Sequence, residues 1–553
     1  MKRIITLIAV MAILGMSFGH FSSAVAAPRD PTEKPGPPKS GFYDFYNASA
    51  EFGPGIGNVQ NLDCTVSAGT QPSDYAGNML IDCDGEVPHN ETTIVVDPND
   101  PSHAVGGYHS YQLQFKGATI IAHIIGTVSV TFDGGQTWRE VVPPITPFQF
   151  SGDPALAFDA DSRLYFANIA DHEGQSGNFT GPSVVVAHSD DGGLSWSNPV
   201  TVAKGKNGID ARGNGVEVFQ DKEFIAADAS DTSPFKNRIY VTWTSFQSKF
   251  SSGRSPVSIR FPIMMSYSDD GVQWSKPKEI SGFNPACSVA LFGAPNQCDL
   301  NQFSVPSVAP NGRVYVSFEN FNTVAENQVM VVWSDDGGVT WTNPVRIDTI
   351  NDFGHYPQNI SGRDTLTGCQ FRLNSMGNVA VDPTDPDTVY VVWDDNRNGL
   401  PTATNNDVFL GRSTDGGVNW AIYTVDGTAN DQFYPWVAVA PDGRVDVGYM
   451  DRSYSSGQGV CQYGFTLARA TFTGNAISVS RTRVDTGLSD PGQSRWFSGA
   501  TGGNGTFIGD YNGVAVGPDG MTWSLWTDQR NIVVNPPSST RNHGQHAVGA
   551  TTP

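Results

Sequence analysis

The sequence predicts an all-β fold, a β-propeller of four-stranded antiparallel blades. Three observations carry that prediction. A short box of residues is spelled five times, a pair of apolar runs joined by a tight turn recurs along the chain, and a further run stands on each side of every box.

The box is clearest in "SDDGGLSWSNPV" (Ser189 to Val200) and "SDDGGVTWTNPV" (Ser334 to Val345). Further copies are "TFDGGQTW" from Thr131, "SDDGVQW" from Ser268 with one residue fewer, and "STDGGVNW" from Ser413. Their aspartates, Asp133, Asp191, Asp270, Asp336 and Asp415, step by 58, 79, 66 and 79 residues. Those steps are too uneven for a solenoid of identical short units and long enough for a small sheet each.

Between boxes come paired runs such as "SVAPNGRVYVSF" (Ser307 to Phe318) and "VAVAPDGRVDVGY" (Val437 to Tyr449). Asn-Gly and Asp-Gly between segments rich in Val, Tyr and Phe are hairpin signals. A third run leads into the box, as in "SVVVAHS" (Ser183 to Ser189), and a fourth short run follows, which makes the four strands of a propeller blade. Strand pairs begin near Thr92, Asp153, Phe224, Gln302, Asn378, Gln432 and Phe507, which favours seven blades over six. The seventh unit lacks a fourth strand, and "GNVQNL" (Gly57 to Leu62) is expected to supply it, closing the ring and hiding the sheet edge.

The pattern Ser/Thr-x-Asp-x-Gly-x-Thr/Ser-Trp resembles the Asp-box, or BNR repeat, of sialidases and related propeller proteins, over most of the chain from about Thr92 onward. The resemblance implies that the boxes sit between third and fourth strands, on the face away from the substrate site, so the five box aspartates are read as scaffold. In such a turn the Asp accepts backbone N–H groups, the Gly supplies a backbone state other residues resist, and the Trp packs between sheets.

Lys2 and Arg3, an apolar run from Ile4 to Met16 and "AVA" (Ala24 to Ala26) read as a secretion signal over residues 1–26. Residues 27–56 hold a Pro-rich, charged arm, and 57–553 are read as one propeller domain. No segment is long and apolar enough to span a membrane. Cys64, Cys83, Cys287, Cys298, Cys369 and Cys461 form an even set in an exported chain with no C-x-x-C pair, so disulfides are expected rather than metal. Nearest-neighbour pairing gives Cys64–Cys83, Cys287–Cys298 and Cys369–Cys461 among fifteen connectivities. A formal charge of −22 excludes broad binding to nucleic acid. No cofactor is implied. Structural calcium is conceivable at the acidic turns "DPNDP" (Asp97 to Pro101) and "DPTDPD" (Asp382 to Asp387), which read first as hairpin turns.

Function is sought on the face opposite the boxes, where the chain follows each second strand. "WDDNRN", "MDRS" and "WTDQRN" put Arg397, Arg452 and Arg530 there in three consecutive units. The resemblance implies an arginine clamp on a substrate carboxylate, a Tyr nucleophile assisted by a Glu, and an Asp acid/base. The three arginines are candidates for the clamp, against the plainer alternative that each pairs with a nearby Asp394 or Asp395, Asp451 or Asp528. "IGDYNG" (Ile508 to Gly513) makes Asp510 and Tyr511 catalytic candidates, with Glu319 or Glu217 as the base a Tyr nucleophile needs. Asp171 and Glu319 are candidate acid/base groups. Asp221 and Lys222 join them at the entry to the third unit. His109, His172 and His355 sit in loops, and Tyr108, Tyr111, Tyr356, Trp436 and Trp496 are available to stack on sugars. The family's x-Arg-x-Pro signature is missing ahead of the first box; "IRFP" (Ile259 to Pro262) occurs elsewhere, and Arg260 is read as a strand residue.

The expected function is a secreted, exo-acting, sialidase-like glycoside hydrolase that removes a terminal, acidic or neutral sugar from a glycan. The alternatives are a non-catalytic glycan- or protein-binding propeller at the cell surface and a polysaccharide lyase.

Overall fold

The computed structural model describes residues 64–83, 88–116, 119–172, 181–253, 255–324, 326–352, 354–360, 362–457, 459–493, 507–530, 532–534 and 541–553. The expected signal, the Pro-rich arm, Gly57 to Leu62 and Trp496 lie outside the described residues.

The strands form seven antiparallel blades. Their innermost strands are His89–Asp97, Phe150–Phe158, Gly215–Ala227, Asn301–Val308, Met376–Asp382, Gln432–Val439 and Gly513–Val516. Each is followed outward by its hairpin partner, a third strand and a short outer strand. Phe150–Phe158 is buried along its whole length and Leu164–Asp171 beside it equally so, because blades cover both faces of their neighbours. This is why these strands read as continuous apolar runs rather than alternating ones. By contrast the outer strand of blade 6, Ala476–Arg483, is open to solvent and alternates as "AISVSRTR".

The fourth strand of blade 7 is Met79–Leu80, which pairs with Gly549 and Val548 of His546–Thr552. This corrects the assignment of that role to Gly57 to Leu62. Upstream, Thr65–Ser67 adds a fifth strand to blade 1 by pairing with Arg139, Trp138 and Thr137. Residues 64–83 therefore run from the outer edge of blade 1 to the outer edge of blade 7 and clasp the seam between them. All three expected disulfides are present: Cys64–Cys83, Cys287–Cys298 and Cys369–Cys461.

All five boxes occupy the turn between third and fourth strands. In the box of blade 4, Asp336 Oδ1 accepts the Thr340 N–H at 2.7 Å, Oδ2 accepts the Thr340 hydroxyl at 2.6 Å, and Ser334 Oγ accepts the Gly338 N–H at 2.9 Å. The shorter box of blade 3 does the same job one residue earlier, with Asp270 accepting Val272 and Gln273 N–H groups. Trp138 is buried against Trp523 of blade 7, as expected for an inter-blade tryptophan. The other box tryptophans are half-buried, and Trp196, Trp341 and Trp420 donate Nε1–H to a carbonyl of their own box. The acidic turns are a–b hairpin turns, in which Asp97 and Asp382 accept the N–H groups of Asn99 and Thr384.

Candidate functional site

The innermost strand of each of the first six blades carries one extra residue, near its start in five blades and midway in blade 3, so the register against its partner shifts there. The residues at the shift are Glu91-Thr92, Asp153-Pro154, Lys222-Glu223, Phe303-Ser304, Gly377-Asn378 and Tyr434-Pro435. Five of the first residues are non-glycine with positive φ: Glu91 at 54°, Asp153 at 54°, Lys222 at 52°, Phe303 at 60° and Tyr434 at 52°. A side chain in that conformation costs on the order of 1–3 kcal/mol, and such strain persists where surrounding structure fixes it, often at functional sites. Here it recurs around one axis, at the end of the ring opposite the boxes.

The bulges bring charge together. Lys222 Nζ lies 3.1 Å from Glu91 Oε1, 3.2 Å from Asp153 Oδ2 and 2.6 Å from Asp510 Oδ2. Arg372 arrives from the connection between blades 4 and 5 and grips Asp510 side-on, Nε to Oδ1 at 2.8 Å and Nη2 to Oδ2 at 2.5 Å. The Cys369–Cys461 bond anchors that connection three residues away. His109 Nε2 accepts the Asp153 N–H at 2.5 Å and faces Glu91 Oε2 at 3.6 Å, while Nδ1 lies 3.1 Å from Asn90 Oδ1. Tyr511 lies under Lys222, whose Nζ is 5.4 Å from its ring centroid, and its hydroxyl donates to Pro154 O at 3.3 Å. Every one of these side chains is buried.

Burial opposes ionisation throughout the cluster, so partners decide each protonation state. At Asp510 the burial cost is outweighed by Arg372 and Lys222, and its carboxyl is held far below the usual range. At Asp153 Lys222 and then His109 outweigh burial in the same direction. For Glu91, burial and the charge of Asp153 win, and its carboxyl is pushed well up. Burial and Asp153 likewise raise Glu223, and raise Asp221 to about 8. His109 is pushed down by burial, against the pull of Asp153. The cluster therefore pulls its acids in opposite directions: Asp153 and Asp510, beside Lys222 and Arg372, are lowered, and Glu91, Asp221 and Glu223 are raised. Such a set can give a proton at one position and hold negative charge at another.

Of the residues expected from sequence, Asp510, Tyr511, Lys222, Asp221 and His109 meet in this cluster; the Tyr111 hydroxyl reaches His109 Nδ1 at 3.2 Å and Asn90 Oδ1 at 3.1 Å, and the Trp436 ring lies 6.2 Å from that of Tyr511. The catalytic and clamp candidates Asp171, Glu319, Arg397, Arg452 and Arg530 lie outside it. Asp171 accepts the His172 N–H at 2.7 Å and the Gly181 N–H at 3.3 Å. Glu319 and Asp352 share Asn327, whose Nδ2 donates at 3.0 and 2.9 Å; burial and Asp352 push Glu319 well up. The bases near Tyr511 are accordingly Asp153, Glu91 and Glu223, with Glu217 four residues up the strand from Asp221 and Glu319 in its own network. Arg397 is held by Asp395 and Asp348, Arg530 by Asp528, Asn78 and Thr486. Arg452 is held by Asp431 rather than by neighbouring Asp451, which caps the following turn through the Ser453 N–H. Asp394 accepts the Tyr434 N–H instead of pairing with Arg397. His172 stacks on Phe148, His355 meets Glu326 at 3.3 Å, and Arg260 pairs with Glu279 and Asp299 on an added strand.

Sequence reasoning missed Glu91, Asp153, Glu223 and Arg372. Glu91 and Asp153 were available, because aligning the inner strands on their apolar runs puts Glu91, Asp153, Lys222, Phe303, Gly377, Tyr434 and Tyr511 in one column; Glu223 is the residue after Lys222. Arg372, in an irregular connection, has no repeat to betray it.

No protein-family profile matches this chain, and no curated protein matches it. Among solved structures it is similar to a mutant form of the NanB sialidase of Streptococcus pneumoniae, 10% identical over 90% of this chain and 98% of that one, with a TM-score of 0.41. It is similar as well to a leech intramolecular trans-sialidase, 11% identical over 86% and 93%, TM-score 0.40. A third is an α-L-arabinofuranosidase of Fusarium graminearum, 13% identical over 73% and 95%, TM-score 0.37. Superposition at this level adds no weight to the fold, which rests on the strand pairing itself.

Proposed function

We propose that the protein is a glycoside hydrolase of sialidase-like kind, removing a terminal sugar from a glycan by acid–base chemistry at the axial cluster. The observation that carries this reading is the arrangement around Lys222: Asp510 and Asp153 stand 2.6 and 3.2 Å from its Nζ, and Asp221 and Glu223 flank it in the chain with buried carboxyls. The cations draw the first two carboxyls down and burial pushes the other two up. Paired carboxyls in opposite states are what glycosidic cleavage uses, one protonating the leaving oxygen and one stabilising or attacking the sugar carbon. Asp510 and Tyr511 are the proposed catalytic pair. Tyr511 is held protonated by burial and then by surrounding acids, so a nucleophilic role draws on Asp153 as base. Glu319 and Asp171, buried at the ends of second strands, take no catalytic part in this reading. An arginine clamp from Arg397, Arg452 and Arg530 would require each guanidinium to leave its present carboxylate.

That engagement of the three arginines favours a second reading, a glycan-binding propeller without catalysis. Fluorogenic glycosides of sialic acid, uronic acids and neutral sugars, offered to the purified mature protein, separate the two. Release by the parent, falling at least about 100-fold in Tyr511→Phe and in Asp510→Asn with native circular dichroism retained, is the expected result. Undiminished release in Tyr511→Phe removes the nucleophile, and undiminished release in both moves the chemistry out of the cluster. No release of any sugar, with glycan binding that survives, establishes the second reading.

A further inference from the structure

A second buried cluster lies where the ring closes. Asp82 comes from the N-terminal clasp, His89 opens the first strand of blade 1, and His546 opens the third strand of blade 7. Asp82 Oδ1 is 2.9 Å from His546 Nδ1, and Oδ2 is 3.5 Å from His89 Nδ1. Each residue can offer one ligand atom, and those atoms lie within 4.8 Å of one another. The side chains are 1%, 0% and 7% exposed for Asp82, His89 and His546. Tyr75 meets the His546 ring edge-on at 5.9 Å, and its buried hydroxyl has no hydrogen-bond partner among the described residues; neither has His546 Nε2.

We infer that Asp82, His89 and His546 form a binding site for a divalent transition metal of the zinc class, which ties the three segments that must meet for the propeller to close. Two imidazoles and one carboxylate are donors for zinc, cobalt or nickel rather than for calcium or magnesium, which prefer oxygen-only sets. The other groupings of ligating side chains do not compete. Lys222 Nζ already stands within 3.2 Å of the Glu91 and Asp153 carboxylates beside His109, placing a fixed positive charge where an ion would sit. Cys64 and Cys83, next to Glu140, are joined to each other as a disulfide. The sequence separation is the reason a metal matters here: Asp82 and His546 are 464 residues apart, and ion binding to ligands brought together only by folding adds its free energy to the folded state.

The test is titration of chelator-treated protein with Co²⁺, followed by visible absorption and by X-ray absorption at the cobalt edge. The expected result is one ion per chain, two imidazoles in its shell, and a higher thermal midpoint that Zn²⁺ reproduces. His546→Gln should weaken binding by more than the about 10–100-fold that loss of an outer-shell partner costs. His109→Gln, which alters only the axial cluster, should leave it intact. Absence of stoichiometric binding in the wild type overturns the inference, and so does a cobalt shell without imidazole. Loss of the ion in His109→Gln with retention in His546→Gln would move it to the axial cluster and overturn the assignment. The cobalt-edge measurement is made on the wild type, so it decides even where His546→Gln fails to fold.

Discussion

Individual acids in this protein are set first by burial and then by their charged neighbours. Asp221 is raised to about 8 by burial and then by Asp153, with Lys222 and Arg372 pulling the other way and Asp510 adding to the rise. Asp364 reaches about 7 through burial and Asp352, and Asp407 about 6 through burial, eased by Asn398 and raised by Asp395. In the unfolded chain each ionises near its ordinary 3.8, so between that value and the folded one the native state binds more protons. Stability contributed by these protons is complete at acid pH and is lost as pH rises through the folded values. Asp153 and Asp510 are lowered instead, and their contribution is in place once pH exceeds the ordinary range. The thermal midpoint should therefore be highest near pH 5 and decline to pH 9, measured by scanning melts at constant ionic strength. A flat or rising profile would show that Asp221 and Asp364 are ionised in the fold.

At the scale of the strand and the turn, the boxes were fully legible in sequence because their chemistry is local: an Asp, a hydroxyl and one or two glycines within seven residues satisfy each other. What the local pattern does not disclose is that the second glycine serves the neighbouring blade. A Cβ on Gly338 would stand 3.0 Å from Met265 and 3.2 Å from Tyr267 of blade 3, and its φ is +90°. Gly338→Ala should accordingly cost more than the about 1 kcal/mol of an ordinary conformational substitution. We expect about 2 kcal/mol in chemical denaturation with sugar release unchanged at saturating substrate, since the turn is at the far end of the ring. The inner-strand bulges were equally present in the text as a column, yet hidden, because one residue of slippage is invisible to a reading that tracks only apolar runs. The arginines were ambiguous for a different reason. Asp-Arg or Asp-x-Arg after a second strand specifies an ion pair as readily as a clamp, and only the fold brings Asp431 to Arg452 or Asp348 to Arg397.

Over the whole molecule the disulfides differ in what they hold. Their spans are 19, 11 and 92 residues, so chain-entropy arguments give the Cys369–Cys461 bond about 4.6 kcal/mol against about 3 for the others. It also pins the connection that delivers Arg372 to Asp510. Replacing Cys369 and Cys461 by Ser should thus lower the denaturation midpoint most and reduce sugar release, whereas the Cys287–Cys298 double replacement should do neither to the same degree. Equal effects from all three would show that Arg372 is positioned by packing alone. The clasp of residues 64–83 carries a consequence for how the protein is made. During synthesis the chain emerges as an open arc, and Met79 has no strand to join until Gly549 exists. The clasp must wait for the last blade, so the slowest event in maturation is expected to be one late docking of an early segment, exposed to proteases until the moment it finds its place.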